Sequence, residues 1–244
     1  MFKANNVLNI SNISKSFINR LVLDNINLEV KEKNIFGFIG LNGQGKTTLI
    51  KIILDLLDKD SGQISIFHIN SSNPIARKDV FYLPEKFQPS PHLSGKEFLK
   101  FALGFYQKKL DLHKAENICN NLDLDFAVLS QPVKKYSKGM TQKLGLLALF
   151  LSEADLVILD EPMSCLDPKA RINLKNEMIN YKKLGKTIFF SSHILSDMDE
   201  ICDEIAVLNN SKIIYKGTPK KFKTKFKEDN LDKAFLKSIN QLIN

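Results

Sequence analysis

The run GLNGQGKT, Gly40 to Thr47, decides how this chain is read. It fits the pattern G-x-x-x-x-G-K-[ST]. Just before it stands the compact apolar run IFGFI, Ile35 to Ile39, which reads as a strand. Just after it, TTLIKIILDLLD, Thr47 to Asp58, has the apolar spacing of a helix and is broken by Ser61-Gly62. Strand, glycine loop and helix in that order let backbone N–H groups curl around phosphates without side-chain clash, and the helix N-terminus adds partial positive charge. Lys46 is placed to reach β- and γ-phosphates, and the Thr47 hydroxyl to ligate Mg2+. Three of only eleven glycines fall in this loop, so the pattern is not a by-product of glycine-rich composition.

Further along, LVILDEP, Leu156 to Pro162, is an apolar strand ending in two acids, which is costly unless they meet a cation or solvent. Asp160 sits where a strand end would hold the Mg2+ shell, and Glu161 where it would polarise a water for attack on a γ-phosphate. A lone Asp-Glu pair also caps helices; joined to the phosphate loop it points to a nucleoside triphosphatase. A third strand, TIFFS from Thr187 to Ser191, leads to His193, read either as a reporter of the γ-phosphate or as a satisfied surface histidine. Helix-like sequence from Arg171 to Leu184 separates these two strands, so the core is α/β with a mostly parallel sheet and crossover helices. In such sheets ligands collect at the carboxyl ends of strands, where Gly40 and Asp160 would both lie.

Around this core, Leu8–Ile13 and Leu21–Val30 read as early strands, and Ile205–Leu208 with Lys212–Tyr215 as a terminal hairpin across Asn209-Asn210-Ser211. Residues 84–152 read as a mostly helical insertion: Ser94 and Glu97 form an S-x-x-E capping box, a second helix covers His113 to Leu122, and a third follows Gly139.

Composition sets the outer bounds. The 244 residues are 43% hydrophobic and 25% charged, an ordinary globular balance that excludes a disordered tail protein and a disulfide-stapled miniprotein. The longest apolar stretch is LGLLALFL, Leu144 to Leu151, far short of the roughly 20 residues a membrane span needs. The N-terminal MFKANNVLNISN holds no run of signal-peptide length. Cys119, Cys165 and Cys202 are widely spaced, form no metal pattern and suit a reducing cytosol. The net charge is +8, but Leu208 to Asn244 alone carries nine lysines against three acids, leaving +2 for the other 207 residues. That is not a uniformly basic nucleic-acid face. The tail reads either as a neighbour of anionic lipid or RNA or, more simply, as a solvated, partly helical extension.

Taken together, these motifs resemble the nucleotide-binding subunit of ATP-binding cassette (ABC) transporters, from Leu8 to Gly217. YSKGMTQKL, Tyr136 to Leu144, is similar to that family's signature, usually close to LSGGQ: Ser137 and Gly139 match, whereas Tyr136, Lys138 and Met140 do not. MSCLD, Met163 to Asp167, resembles the D-loop, and YLPEKF, Tyr82 to Phe87, resembles the Q-loop with Glu85 where glutamine is usual. The resemblance implies a phosphate-loop core with an N-terminal antiparallel β-subdomain and a helical subdomain, as one domain over residues 1–217 with a lysine-rich extension over 218–244. It implies ATP and Mg2+ as cofactors. Gly40, Leu41, Asn42, Gly43, Gln44, Gly45, Lys46, Thr47 and Thr48 are then the candidate nucleotide-binding run, with Phe17 stacking on adenine. Ser137 and Gly139 would cap the nucleotide of an opposite subunit. The candidate metal set is Thr47, Asp160 and Glu85, with Gln88 a second possibility for the loop ligand; the candidate catalytic set is Glu161, His193 and Lys46.

The resemblance further implies a two-fold dimer, with itself or a homologous cassette, holding two ATP. It implies separate integral membrane permeases docked on the helical insertion and the Glu85 loop, and a peripheral place on the cytoplasmic face of a membrane. The YLPEKF loop and compact size look most like exporters, and no specific nucleic acid is expected. Two other classes stand beside this reading: a soluble cassette ATPase acting on ribosomes or DNA, and a weakly hydrolysing regulatory module.

Overall fold

Five consecutive buried residues, Ile35 to Ile39, make the strand about which the molecule is organised. The computed structural model describes residues 6–240; Met1–Asn5 of the N-terminal reading and Gln241–Asn244 of the tail lie outside the described residues.

The chain begins with an antiparallel hairpin, β1 (Asn6–Phe17) and β2 (Arg20–Lys31), before the central strand β3 (Ile35–Ile39) and helix α1 (Lys46–Ile53). Strands β4 (Ser61–Ile66), β5 (Ile69–Asn70) and β6 (Val80–Leu83) follow, then helices α2 (Gly95–Gly104), α3 (Leu112–Asn121) and α4 (Lys138–Ser152). Strand β7 (Leu156–Asp160), α5 (Pro168–Lys183), β8 (Thr187–Ser192), α6 (Leu195–Ile201) and the hairpin β9 (Glu204–Asn209) and β10 (Lys212–Gly217) complete the core, and α7 (Pro219–Phe226) and α8 (Leu231–Asn240) end it. Two sheets result: β2-β1-β4-β5, antiparallel, and β10-β9-β3-β8-β7-β6, parallel except for the edge pair β9–β10. The parallel core, the antiparallel N-terminal sheet and the helical insertion agree with the fold read from sequence.

The larger sheet divides two cores by residue parity, because successive side chains on a strand face opposite ways. Phe36 and Phe38 of β3, Leu156 and Ile158 of β7, Phe189 of β8, and Ala206 and Leu208 of β9 face the antiparallel sheet and α1. Ile35, Ile39, Val157, Leu159, Ile188, Phe190, Ile205 and Val207 face the helical side. Burial on both faces is why these strands read as unbroken apolar runs. Phe36 and Phe189 stack with ring centroids 5.7 Å apart.

Several boundaries differ from the sequence reading for local reasons. Helix α1 stops at Ile53, not Asp58, because Asp55 takes a left-handed φ of 58° and Leu56 turns to solvent. Helix α5 starts at Pro168, three residues before Arg171: Asp167 caps it by accepting from Ala170 N at 2.9 Å, and proline suits the first helical position. Helix α2 starts as its capping box requires, with Ser94 Oγ accepting from Glu97 N at 3.2 Å and Glu97 Oε2 accepting from Ser94 N at 2.7 Å. The three cysteines are free thiols.

The tail corrects an expectation. From Pro219 to Asn240 it is mostly helical, but it is not a solvated extension. Phe222, Phe226, Leu231, Ala234 and Phe235 are buried in the helical-side core, while Lys223 pairs with Asp199 at 2.7 Å. Among the described residues no helix is long and apolar enough to cross a membrane.

Because Phe222 is fully buried, Phe222→Ala should lower the unfolding free energy of the whole chain by about 3–5 kcal/mol, read as a shifted urea midpoint. An unchanged midpoint would mean that the tail stands outside the cooperative core.

Candidate functional site

Register brings the motifs together. Within the larger sheet Ile39 pairs with Ser192, and Asp160 with Ser191. The loop after β3, the acids ending β7 and the Ser-Ser-His segment ending β8 therefore emerge side by side at one carboxyl edge.

The phosphate-loop geometry depends on glycine at two points. Gly43 has φ 76° and Gly45 φ 107°, values that side chains rarely adopt. A Cβ at Gly45 would also stand 2.8 Å from Val22 Cγ1 and 3.0 Å from Val22 O, so the β2 strand packs directly beneath the loop. Helix α1 starts at the next residue with no side-chain cap and no acid in its first turn, leaving its N-terminal N–H groups for an anion. The buried Lys46 folds back: its Nζ donates to Gly40 O at 2.7 Å and lies 3.3 Å from Glu161 Oε1.

Asp160 is 1% exposed and accepts from two hydroxyls, Thr47 Oγ1 at 2.7 Å and Ser191 Oγ at 2.6 Å. Its neighbour Glu161 takes a left-handed φ of 50°, a conformation that costs on the order of 1 kcal/mol for a side-chain-bearing residue. Ser191 fixes that turn, accepting from Glu161 N through Oγ at 3.0 Å and O at 3.2 Å. Glu161 Oε2 accepts from His193 N at 3.2 Å and lies 2.8 Å from His193 Nδ1. Glu161 Oε1 is buried without a hydrogen-bond partner among the described residues; the nearby Lys46 ammonium balances its charge but lacks hydrogen-bond alignment. A buried carboxylate oxygen left in this way is a position for water or a polar ligand. Behind the acids, the Tyr82 phenol is pushed up to about 12, chiefly by burial and then by the charges of Asp160 and Glu85.

These groups open onto one cleft of about 580 Å³, whose wall includes Phe17, Asn42, Gly43, Gly45, Lys46, Thr47, Thr48, Glu85, Glu161 and His193. Most of the residues read from sequence thus converge. Gly40, Leu41 and Gln44 belong to the loop but not to the cleft wall: Gly40 and Leu41 border a small hollow beside α8, and Gln44 Oε1 turns away to accept from Asn210 N at 3.2 Å. Ser137 and Gly139 also lie off this wall. They stand at the start of α4, where Ser137 Oγ accepts from Met140 N at 3.2 Å, and Ser137 is exposed. The adjoining Tyr136 and Lys138 border a second cleft of about 620 Å³ with Glu85, Gln88, Ser164 and Cys165. Gln88 faces only that second cleft, whereas Glu85 borders both.

Two contributors escape the sequence reading. Ser191 joins both acids; its one sequence signal is the polar Ser-Ser ending of an apolar strand. Arg20 also borders the nucleotide-sized cleft and donates from Nη2 to Gly43 O at 3.2 Å. Nothing in the local sequence of Arg20 marks it.

Comparisons with known proteins agree with this geometry. The family model described as "ABC transporter" matches residues 23–164. An uncharacterized ABC transporter ATP-binding protein of Nostoc sp. is 35% identical over 200 residues, 80% of this chain and 59% of that protein. A lantibiotic transport ATP-binding protein of Streptococcus pyogenes, SrtF, is 32% identical over 214 residues, 85% of this chain and 89% of that one. The chain spans little more than half the length of the Nostoc relative and of a similar protein from Synechocystis sp. (55%). A solved ATP-binding subunit of an ABC transporter superposes with a TM-score of 0.85 at 30% identity, covering 95% of this chain and 99% of that one. A nucleotide-free cassette at 20% identity, with a TM-score of 0.77, shares the fold. By family model, relatives and architecture alike, this chain belongs to the ATP-binding subunits of ABC transporters.

Proposed function

We propose that the chain binds and hydrolyses ATP to drive transport through separate membrane permeases, in the outward direction. The observation that carries this reading is the convergence of Lys46, Thr47, the Glu161–His193 pair and Phe17 on one cleft, with the buried Asp160 hydrogen-bonded to Thr47. In this reading residues 1–217 act as one ATPase domain, 84–152 as its helical arm, and 218–244 as an extension whose helices dock on the core.

Each role follows from chemistry. Phe17, half exposed at the cleft, offers a ring face to adenine. The glycine loop and the α1 N-terminus supply N–H donors to phosphate, and Lys46 exchanges its contact with Glu161 for β- and γ-phosphate oxygens. The Thr47 hydroxyl beside the Asp160 carboxylate is a small, hard oxygen pair, which suits a cation that keeps several waters and takes its other ligands from phosphate. Mg2+ held by Thr47 and Asp160 would supply positive charge to offset that of the phosphates. Glu85 brings a further carboxylate to the cleft wall. Glu161 takes the proton of the attacking water at its unpartnered Oε1, and His193 holds Oε2 and faces the γ-phosphate. Catalysis is then mainly positioning and electrostatics.

Ser137 and Gly139 lie off their own chain's cleft, which supports their serving the nucleotide of a second copy in a two-fold sandwich. The exposed rings of Phe101 on α2 and Phe105 just past its end, 5.2 Å apart, support docking of an apolar permease segment on the helical arm. That arrangement sets the chain on the cytoplasmic face of a membrane as a peripheral subunit. The outward direction rests on the YLPEKF loop and on a relative named for lantibiotic transport.

Glu161→Gln should keep ATP affinity within about threefold but lower turnover by on the order of 10²-fold or more, and ATP should hold it as a two-copy species in light scattering. Full phosphate release by that variant would remove Glu161 from its role; a strictly single-copy state, even with permeases present, would remove the sandwich. Ser191→Ala strips a donor from Asp160 and an acceptor from Glu161 N, so a stability loss of about 1–3 kcal/mol in urea unfolding and a fall in turnover are expected together.

A further inference from the structure

The hairpin that carries Phe17 carries a second feature. Phe17 ends β1, Arg20 starts β2, and the two are cross-strand partners on either side of the Ile18-Asn19 turn. Two residues further on, Val22 lies against Gly45. Reading along this edge, a ring face, a guanidinium and the phosphate loop follow one another on the wall of a single cleft.

The guanidinium is available. The chain has only three arginines. Arg77 pairs with Asp55 at 3.5 Å and Arg171 with Asp197 at 2.5 Å. Arg20 has no carboxylate within 4.0 Å among the described residues. Its one hydrogen bond among the described residues, to Gly43 O, uses one of five N–H donors and holds the exposed side chain against the loop. Lys46, the buried cation of the same cleft, is already engaged by Gly40 O and Glu161. A guanidinium presents a planar fork that matches phosphate oxygens.

We infer that Arg20 is a nucleotide-binding residue, its guanidinium contacting the phosphate nearest the ribose. This rests on the proposed nucleotide site. With the base on Phe17 and the terminal phosphates at Lys46, the ribose and first phosphate pass the segment between them, which is where Arg20 stands. The contact is common to AMP, ADP and ATP and absent from adenosine.

The test is a nucleotide ladder. Adenosine, AMP, ADP and ATP are each used to displace a fluorescent ADP analogue from the wild-type chain, Arg20→Ala and Arg20→Lys, at low and high salt. Arg20→Ala should weaken AMP, ADP and ATP by one common factor, about tenfold at low salt and less at high salt, with adenosine unchanged. Arg20→Lys should recover part of the loss. An equal loss for adenosine would make Arg20 a general prop of the pocket. A loss for ADP and ATP that spares AMP would make it a brace of the loop through Gly43. Either result, or no loss, overturns the inference. A wild-type chain that does not take up the ADP analogue overturns the nucleotide site itself, which is a separate outcome. Arg20 is exposed beside a hairpin turn, so its replacement leaves the core intact; an unchanged urea midpoint checks this.

Discussion

A carboxylate stripped of water at the end of a buried strand is unfavourable unless its charge is answered at once. Asp160 meets that demand with two hydroxyls drawn from different elements: Thr47 from the first turn of α1 and Ser191 from β8. This small junction ties the phosphate loop, the acidic strand end and the histidine-bearing strand to one another. Ser191 extends it by one step, because the same hydroxyl accepts from Glu161 N and holds that residue in its left-handed turn. The turn sends the second acid away from the first, so two adjacent carboxylates do not face each other. One acid is then bound to two hydroxyls, and the other keeps a buried oxygen without a hydrogen-bond partner among the described residues.

The surrounding architecture makes the junction rigid. Beneath it, three neighbouring parallel strands are buried on both faces, so their carboxyl ends cannot shift without disturbing two packed cores at once. The β1–β2 hairpin presses on the loop from one side through Val22. Mobility is then expected at the Glu85 loop, where Glu85, Lys86 and Gln88 are exposed, whereas the helical arm is anchored through the buried α4.

Much of this is legible in the sequence, because its causes are local. The Gly40–Thr47 loop needs only glycine conformations and a helix start. The Asp160-Glu161 pair needs only an apolar run to place it. The capping box of Ser94 and Glu97 is visible as three-residue spacing. The placement of Ser191 is not, since it depends on which strands lie side by side, and that of Arg20 is not, since it depends on how the antiparallel sheet packs against the loop after β3; no short window carries either. The tail is a different case. Its lysines dominate the composition and suggest a solvated segment, yet Phe222 and Phe226, then Leu231 and Phe235, recur at four-residue spacing and already trace a buried helical face.

The parity of β3 carries one more consequence. A single residue gained or lost within Ile35–Ile39 would exchange the side chains of the two cores and move the glycine turn off its neighbours in the same stroke. Length change is therefore closed to this segment in any viable descendant, however freely its aliphatic identities drift.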